Sequence, residues 1–286
     1  MTTPAPAPPL VIKIGGTAHE ASAAAAPLWD AVARLSTRAS AGSGGAIVVH
    51  GGKDAIDRQL ALADKPVARI AGLRITPPDQ IEHVEAALAG IVNGAIVRAL
   101  NARGARAVGL TLCDGNTIRA ERLRVDGGDL GHVGIVRSGS PDLLRALLDA
   151  GYLPVIASIG QGPDHEPLNV NADDAAAAIA GIIRARALVL LTGVPGVLDA
   201  SGALIPRIAA SDADAMIASG AIADGMIPKI RAALDAARTA RCPVTIGGWA
   251  TDTERRALAA GEPFGTVIEA PPVKPRAAAP EQGVLS

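Results

Sequence analysis

The feature that most constrains the fold is a repeated alternation of short apolar runs with segments of helical length. Most of the runs end in glycine or in a polar residue. They are "LVIKIGG" (10–16), "AIVVHGG" (46–52), "ARAVGLTLCDG" (105–115), "LPVIASIG" (153–160), "ALVLLTGV" (187–194) and "CPVTIGG" (242–248). Because strands separated by helices are typical of βαβ units, the pattern predicts an α/β fold with a mostly parallel sheet and helices on both faces. Ligands bind at the carboxyl ends of the strands in such sheets, which is where these glycines fall.

The composition narrows the class of function. The chain has 286 residues, 49% of them hydrophobic, so it can bury a sizeable core as one α/β unit or two lobes. Its 27 basic and 28 acidic residues form no block of like charge, which argues against a nucleic-acid or membrane-surface partner and favours small-molecule substrates. No run of about 18 apolar residues predicts a membrane span. The two cysteines, Cys113 and Cys242, have neither zinc-knuckle nor redox spacing, so we expect no protein-held metal and a reducing, cytoplasmic location.

The two ends of the chain differ in character from the rest. Residues 1–9, "MTTPAPAPP", lack a secretory signal and predict a disordered leader, and residues 270–286 are proline-rich and predict a disordered tail. The expected folded domain spans residues 10–269. Within it, residues 119–134 lose the apolar character and predict a polar hairpin.

Two glycine-ended strands carry candidate phosphate contacts. Lys13 lies within an apolar strand, where an ammonium is costly unless it meets an anion or an ion-pair partner. An ordinary salt bridge would satisfy it, but so would a phosphate approached by the backbone of Gly15 and Gly16. Gly51 and Gly52 are expected to let the backbone turn at angles closed to other residues. A plain turn is the alternative for this second pair.

The segment "LNVNADDAAAAIAG" (168–181) is the most informative one. Asn169, Asn171 and Asp173 precede or open an alanine-rich helix, whose N-terminus favours a nearby anion. Capping alone needs fewer polar residues than these, although it remains the simpler explanation. Further on, "DGMIPKI" (224–230) places Lys229 where a new helix is expected to start, so that its charge could meet a phosphoryl group.

Two loops complete the candidate site. In "GLRITPPDQ" (72–80), Arg74 lies in a short extended piece and could grip a carboxylate with two hydrogen bonds, or it could be an ordinary surface arginine. In "LLTGVPGVLD" (190–199), the segment containing Thr192, Gly193 and Gly196 could close over a purine or simply turn. The chain lacks both the dinucleotide fingerprint and the Walker pattern, which weighs against a dinucleotide-binding oxidoreductase.

These pieces, in this order, resemble the amino acid kinase family, and within it the short bacterial N-acetyl-L-glutamate kinases. The resemblance runs from about residue 10 to residue 268. It is carried by "KIGG", "HGG", "GLRITPPDQ", "AVGLTLCDG", "LGHVG", "YLPVIASIG", "NVNADDAA", "LTGVPGVLD" and "GMIPK". It implies a three-layer αβα kinase whose N-terminal half binds the amino acid and whose C-terminal half binds ATP with Mg²⁺ carried by the nucleotide. The implied product is an acyl phosphate on the side-chain carboxylate, a step of arginine biosynthesis.

The resemblance also implies roles for individual residues. Lys13 and Lys229 would hold the transferring phosphoryl group from opposite sides, and Asp173 would hold both lysines. The acidic substrate would be bound by Gly51, Gly52, Arg74 and Asn169. The phosphates and the rest of the nucleotide would be bound by Gly15, Gly16, Thr192, Gly193 and Gly196. Because the attacking carboxylate is already ionised, such a transfer needs positioning and cations more than a general base.

Three departures from the family pattern lead to further expectations. Lys53 stands where a third glycine is common; a positive φ there would strain a lysine, so we expect another loop conformation, with the side chain either facing solvent, which we favour, or turned toward the incoming carboxylate as a third cation. Gly193 replaces a frequent polar residue in the nucleotide loop. Because only nine residues precede Leu10, we expect a homodimer that arginine does not inhibit. A sister kinase of a related acid, or a non-catalytic regulatory module, are the alternative functions.

Overall fold

The computed structural model describes residues 7–15, 25–39, 44–70, 72–125, 128–222 and 226–269. Gly16, most of the predicted leader and the predicted tail at 270–286 lie outside these ranges. Pro9, assigned to the leader, belongs to the fold, because its carbonyl accepts a hydrogen bond from the Arg186 amide at 2.9 Å.

The elements follow the alternation read from the sequence. The strands are β1 (Leu10–Ile14), β2 (Ala46–His50), β3 (Arg69–Ile70), β4 (Leu73–Arg74), β5 (Ala107–Thr111), β6 (Ile118–Arg122), β7 (Val133–Gly139), β8 (Leu153–Ala157), β9 (Ile159–Gln161), β10 (Pro167–Val170), β11 (Ala187–Leu191), β12 (Arg207–Ile208), β13 (Val244–Gly247) and β14 (Thr266–Ile268). The helices are α1 (Ala26–Ala39), α2 (Lys53–Leu62), α3 (Ile81–Glu85), α4 (Asn93–Asn101), α5 (Asp142–Asp149), α6 (Ala172–Ile183), α7 (Ala213–Ala218), α8 (Ile227–Ala240) and α9 (Asp252–Ala260). A π-helical segment, Ala86–Val92, joins α3 to α4.

The central sheet has eight strands in the order β12-β14-β13-β11-β1-β2-β8-β5. All neighbouring pairs are parallel except β13 and β14. Strands β2 and β8 are buried at every position, as expected for parallel strands covered on both faces. The predicted α/β class with a mostly parallel sheet is therefore confirmed.

Two apolar clusters cover the two faces of this sheet. One contains the buried side chains of α6 and α8, and the other contains those of α1, α2, α4 and α9. Strand β1 contributes to both, because its side chains alternate: Val11 belongs to the α6 side, whereas Leu10, Ile12 and Ile14 belong to the other. The same alternation places Lys13 on the α6 side.

Two smaller sheets lie beside the central one. The first has four strands in the order β6-β7-β10-β9, with an antiparallel β6–β7 pair where the sequence predicts a polar hairpin. The second is the short β3–β4 hairpin, in which Arg69 and Arg74 are register partners. This hairpin carries the predicted substrate arginine.

One stretch is long and apolar enough to cross a membrane by length and composition. It runs over 21 residues from Ile81 to Asn101 through α3, the π-helical segment and α4. Val84, Leu88, Ile96 and other side chains along it are buried in the core cluster of the α1 face. Core helices pass the same test, so this stretch is weak evidence for a membrane span.

Candidate active site

The sheet order brings together the strand ends that the sequence singles out. Strands β11, β1 and β2 are neighbours, so Thr192, Gly15 and Gly51 follow the carboxyl ends of three adjacent parallel strands. Strand β10 leads directly into α6, whose first turn faces the same edge. This edge of the sheet is the candidate active site.

An ion pair joins β1 to α6 at the centre of this edge. The Lys13 Nζ lies 2.9 Å from the Asp173 Oδ1, and the two side chains are 16% and 38% exposed. A Cβ atom on residue 15 would lie 2.7 Å from the same Nζ, so Gly15 leaves room for the ammonium. The structure is therefore compatible with both hypotheses for Lys13, the ordinary salt bridge and the phosphate contact. The ammonium has an ion-pair partner, and it lies at the strand end where an anion could reach it.

The start of α6 is built by a capping asparagine. The side chain of Asn171 accepts hydrogen bonds from the amides of Asp173 and Asp174, so this asparagine is an N-cap. Burial raises the pKa of the Asp174 carboxyl, and the neighbouring charges of Asp173 and Asp235 raise it further. Acidic groups are thus crowded at the start of this helix, with Lys13 as the cation in contact with Asp173.

A first cavity, of about 150 Å³, lies beside α2, β10 and the β3–β4 hairpin. It is lined by all four residues predicted to bind the acidic substrate, which are Gly51, Gly52, Arg74 and Asn169. Ser158 and Asn171 also line it. We call it the acid cavity.

The two glycines after β2 are needed for a reason other than the one expected. Neither has a positive φ, and the φ of Gly52 is 180°, an extended value open to any residue. A Cβ at Gly52 would lie 2.8 Å from Leu88 and 3.0 Å from Val92, and one at Gly51 would lie 3.2 Å from the Cβ of Ala172. The expectation of angles closed to other residues is wrong; close packing of the loop excludes a side chain instead.

The predicted substrate arginine is buried. The Arg74 side chain is 5% exposed, its Nη2 pairs with the Asp57 carboxylate on α2 and also lies 3.5 Å from the carbonyl oxygen of Lys53. Its Nη1 is buried without a hydrogen-bond partner among the described residues. The alternative of an ordinary surface arginine is therefore wrong, because the side chain is buried and paired with Asp57, and Arg74 is among the residues that line the acid cavity.

Asn169 is linked to the same arginine through a buried hydroxyl. The Asn169 Nδ2 donates to the Thr76 Oγ1 at 3.2 Å, and that hydroxyl donates to the carbonyl of Arg74 at 3.3 Å. The structure thus brings together two residues that are 95 positions apart in the chain.

Lys53 does not strain the loop. It is the first residue of α2, and its φ is not among the positive values in the chain. The side chain is 67% exposed, with the Nζ 3.7 Å from Asp54 and 3.6 Å from Asp57. The side chain therefore faces solvent, as expected. Lys53 is also among the residues that line the acid cavity, so the alternative, in which its ammonium turns toward an incoming carboxylate, stays a prediction.

A second cavity, of about 580 Å³, lies at the ends of β1, β11 and β13. It is lined by three of the predicted nucleotide contacts, Gly15, Thr192 and Gly193. Val194, Pro195 and Trp249 add apolar wall, and a Cβ on Gly193 would meet no atom within 4 Å. Because three of the predicted nucleotide contacts line it, we call this partly apolar space the nucleotide cavity.

Gly196 does not line the nucleotide cavity. Its φ is 156°, and a Cβ there would lie 2.6 Å from Leu204 and 2.7 Å from the Thr266 hydroxyl. That hydroxyl accepts a hydrogen bond from the Val197 amide. The structure therefore gives Gly196 a packing role in the loop after β11.

Lys229 lies in the first turn of α8, as the sequence predicts, and its side chain is partly exposed. Within the described ranges, Asp173 pairs with Lys13 and no ion pair joins it to Lys229. The expectation that Asp173 holds both lysines is met for the first of them only.

His50 lies directly before the two glycines and is fully buried. Burial lowers the pKa of its imidazole from 6.5 to about 4, and a hydrogen bond with the Gly51 carbonyl partly opposes that shift. The Asn93 side-chain amide lies 3.0 Å from the His50 Nε2. A neutral imidazole in this position supports the loop and supplies no positive charge to the site.

Sequence reasoning missed several residues of the acid cavity. Ser158 follows β8 and is 2% exposed, and its position at a strand end was a usable signal. Asp57, which pairs with Arg74 without lining the cavity, is one of many acidic residues in the chain, so this pairing had no signal in the sequence. Among the described residues, no group of three His, Cys, Asp or Glu side chains could hold a metal ion.

Comparisons with known proteins agree with this fold. Residues 8–248 match the profile described as "Amino acid kinase family". The solved structure of smu.665 from Streptococcus mutans is 30% identical, with a TM-score of 0.72, and the match covers 92% of this chain and 99% of that one. N-acetylglutamate synthase from Neisseria gonorrhoeae, complexed with coenzyme A and L-arginine, is 24% identical with a TM-score of 0.72, over 92% of this chain and 62% of that one. Carbamate kinase from Giardia lamblia, bound to AMP-PNP, is 15% identical with a TM-score of 0.64, over 93% and 99%. The last two likenesses concern the fold alone.

Proposed function

This chain belongs to the amino acid kinase family, and from that premise we propose that it transfers the γ-phosphoryl group of ATP to the side-chain carboxylate of N-acetyl-L-glutamate. The family implies a phosphotransferase that uses ATP and acts on an amino-acid-like substrate. The specific acid, the acyl-phosphate product and a place in arginine biosynthesis are our proposal.

The observation that carries this proposal is the Lys13–Asp173 ion pair, whose two residues lie next to residues that line the two cavities. Gly15, which lines the nucleotide cavity, leaves room for the Lys13 ammonium, and Asp173 follows Ala172, which lines the acid cavity. An ammonium held between two anion sites offsets the repulsion that opposes transfer of a phosphoryl group to a carboxylate. A protein that only binds one ligand would not need an ammonium between two anion sites.

The acid cavity fits a small molecule with two carboxylates. Arg74 offers its unpartnered Nη1 to one carboxylate, and the amide of Asn169 lies on the same wall. The other carboxylate would approach the backbone of Gly51 and Gly52, which line the cavity. An ionised carboxylate needs no general base, which agrees with the neutral, buried His50.

The nucleotide cavity fits ATP through Thr192, the open space at Gly193 and the apolar wall of Val194 and Trp249. ATP supplies the phosphoryl group, and Mg²⁺ would enter with it. Lys13 and Lys229 would neutralise charge on the phosphoryl group, and Asp173 would keep Lys13 in place.

A coupled assay of ADP release tests the proposal. N-acetyl-L-glutamate is compared with glutamate, N-acetylaminoadipate, aspartate and carbamate, and hydroxylamine traps any acyl phosphate as a hydroxamate. We expect N-acetyl-L-glutamate to give the highest kcat/KM, with hydroxamate formed in step with ADP. A higher kcat/KM for one of the other acids would identify that acid as the substrate instead. Absence of ADP release with all five acids would refute the proposed kinase activity.

Lys13→Ala provides the matched variant for this assay. It should lose activity by about 100-fold or more, since a preorganised cation is worth several kcal/mol to the transition state. Lys65→Ala removes another ion-paired lysine, bonded to Asp79 at 2.6 Å and not among the residues that line either cavity, and should keep wild-type rates. If Lys13→Ala and Lys65→Ala were equally active, the proposed role of Lys13 in phosphoryl transfer would be wrong.

A further inference from the structure

We propose that Asp57, on α2, is a positioning residue that aims Arg74 at the acid cavity and thereby sets the selectivity for substrates with a second carboxylate. This inference deepens the proposed function and rests on it. Asp57 itself does not line the cavity, and nothing in its sequence context singles it out.

Asp57 holds the hairpin that carries Arg74. Its Oδ1 pairs with the Nη2 of Arg74, and the Nη2 of Arg69 lies 4.0 Å from the same oxygen. Arg69 and Arg74 are opposite each other in the β3–β4 pair, so one carboxylate on α2 contacts both strands of the hairpin. Three hairpin residues besides Arg74 line the acid cavity, and the anchor therefore also fixes part of its wall.

The anchor fixes the direction of the unpartnered arm. A guanidinium is planar and its donors keep a fixed geometry, so holding Nη2 determines where Nη1 points. The Nη1 of Arg74 is buried, lacks a partner among the described residues, and belongs to a side chain that lines the acid cavity. An unsatisfied buried donor is costly, and a substrate carboxylate would satisfy it.

The charges around Asp57 leave the cluster able to take an anion. Besides Arg74 and Arg69, the Lys53 Nζ lies 3.6 Å from the Asp57 Oδ2, and Asp54 is 3.7 Å from the same ammonium. Three cations thus face two carboxylates. Asp57 neutralises only part of the positive charge of these three side chains. It can therefore hold Arg74 while the cluster keeps a net positive charge that attracts a substrate carboxylate.

The test uses two substrates that differ only in the carboxylate that Arg74 would bind. N-acetyl-L-glutamate has it, whereas 4-acetamidobutyrate keeps the acetamido group and the reacting carboxylate but lacks the other one. In Asp57→Ala we expect KM for N-acetyl-L-glutamate to rise about tenfold, as for loss of a charge-assisted contact, while KM for ATP and kcat/KM for 4-acetamidobutyrate stay within about twofold of wild type.

Two further variants separate positioning from general damage. Asp57→Asn keeps an oxygen acceptor for Arg74 and should show a smaller rise in KM than Asp57→Ala. Asp54→Ala removes the other carboxylate near Lys53, which does not contact Arg74, and should behave as wild type. The inference would be overturned if Asp57→Ala lowered kcat/KM equally for N-acetyl-L-glutamate and 4-acetamidobutyrate. It would also be overturned if Asp57→Ala and Asp54→Ala had the same KM for N-acetyl-L-glutamate.

Calorimetric titration of each variant with N-acetyl-L-glutamate keeps this inference separate from the proposed reaction. If the wild type binds the acid but releases no ADP, the reaction fails, and the inference still requires Kd to weaken about tenfold in Asp57→Ala. If the wild type turns the acid over and Asp57→Ala binds it equally well, only the inference fails. If the wild type does not bind the acid at all, both are overturned.

Discussion

The buried His50 should make the stability of the folded chain fall as the pH drops below neutrality. Its pKa is about 4 in the folded chain, lowered by burial from the 6.5 of an exposed imidazole. Below about pH 6.5 the unfolded chain binds a proton that the folded chain does not, so unfolding is favoured increasingly until the pH passes the folded value. The full effect is about 3 kcal/mol, and about 2 kcal/mol of it falls between pH 7 and pH 4.5.

His50→Gln is the variant that isolates this effect. Glutamine does not titrate, and its side-chain oxygen can accept a hydrogen bond from the Asn93 amide that now lies 3.0 Å from the His50 Nε2. The free energy of unfolding is measured in urea at steps between about pH 4.5 and pH 7.5. We expect the difference between wild type and variant to shift by about 2 kcal/mol over this range, with the variant relatively more stable at the acidic end.

His83→Gln serves as the control, because His83 lies on α3 and is partly exposed. Titration of carboxylates elsewhere affects all three proteins and cancels in the differences. If wild type and His50→Gln lose stability in parallel as the pH falls, the neutral, buried histidine is not what links the fold to pH.

Further predictions concern residues of the site. Lys229→Ala should lower turnover by about 100-fold or more while the unfolding midpoint stays near wild type, and retention of half the rate would exclude a role in transfer. Arg74→Ala should raise KM for the acid by about tenfold or more with little change for ATP, and equal damage to both would contradict its assignment to the acid. Lys53→Gly should leave both kinetic constants within a few fold and lower the free energy of unfolding by about 1 kcal/mol at most, because glycine is a poorer helix residue; a tenfold rise in KM for the acid would show that Lys53 contacts it.

The fold could be predicted because its signal is local and repeated. Each apolar run between residues 10 and 248 forms a strand within a few positions of its expected bounds, and burial on both faces makes such runs easy to recognise. The order of strands in the sheet was less accessible. The adjacency of β1 with both β2 and β11 depends on crossovers that no short motif encodes, so only the structure shows it.

The candidate site was predictable where a residue's chemistry conflicts with its surroundings. Lys13 in a buried strand and the polar cluster before α6 conflict with their neighbours, and the structure brings them to one edge of the sheet. Residues without such a conflict were not predicted. Asp57 is an acidic residue with no distinguishing sequence context, and only the tertiary structure brings it to Arg74. The reason for Gly52 was also out of reach, because Leu88 and Val92, which exclude a side chain there, lie more than 30 positions away.

Acidic side chains are crowded at the start of α6, next to the site that we propose to bind two anions, and their presence there needs a physical reason. Asp173 pairs with Lys13, and the pKa of the Asp174 carboxyl is raised chiefly by burial and further by the charges of Asp173 and Asp235. An arriving phosphoryl group would share the Lys13 ammonium with Asp173, so its binding depends on further positive charge from Lys229 and from the metal that accompanies ATP. A chain that merely bound an acid would gain affinity by replacing Asp173 with a neutral residue. Retaining the carboxylate makes physical sense if the position of Lys13 matters more than the affinity for either anion, and that is the requirement of phosphoryl transfer.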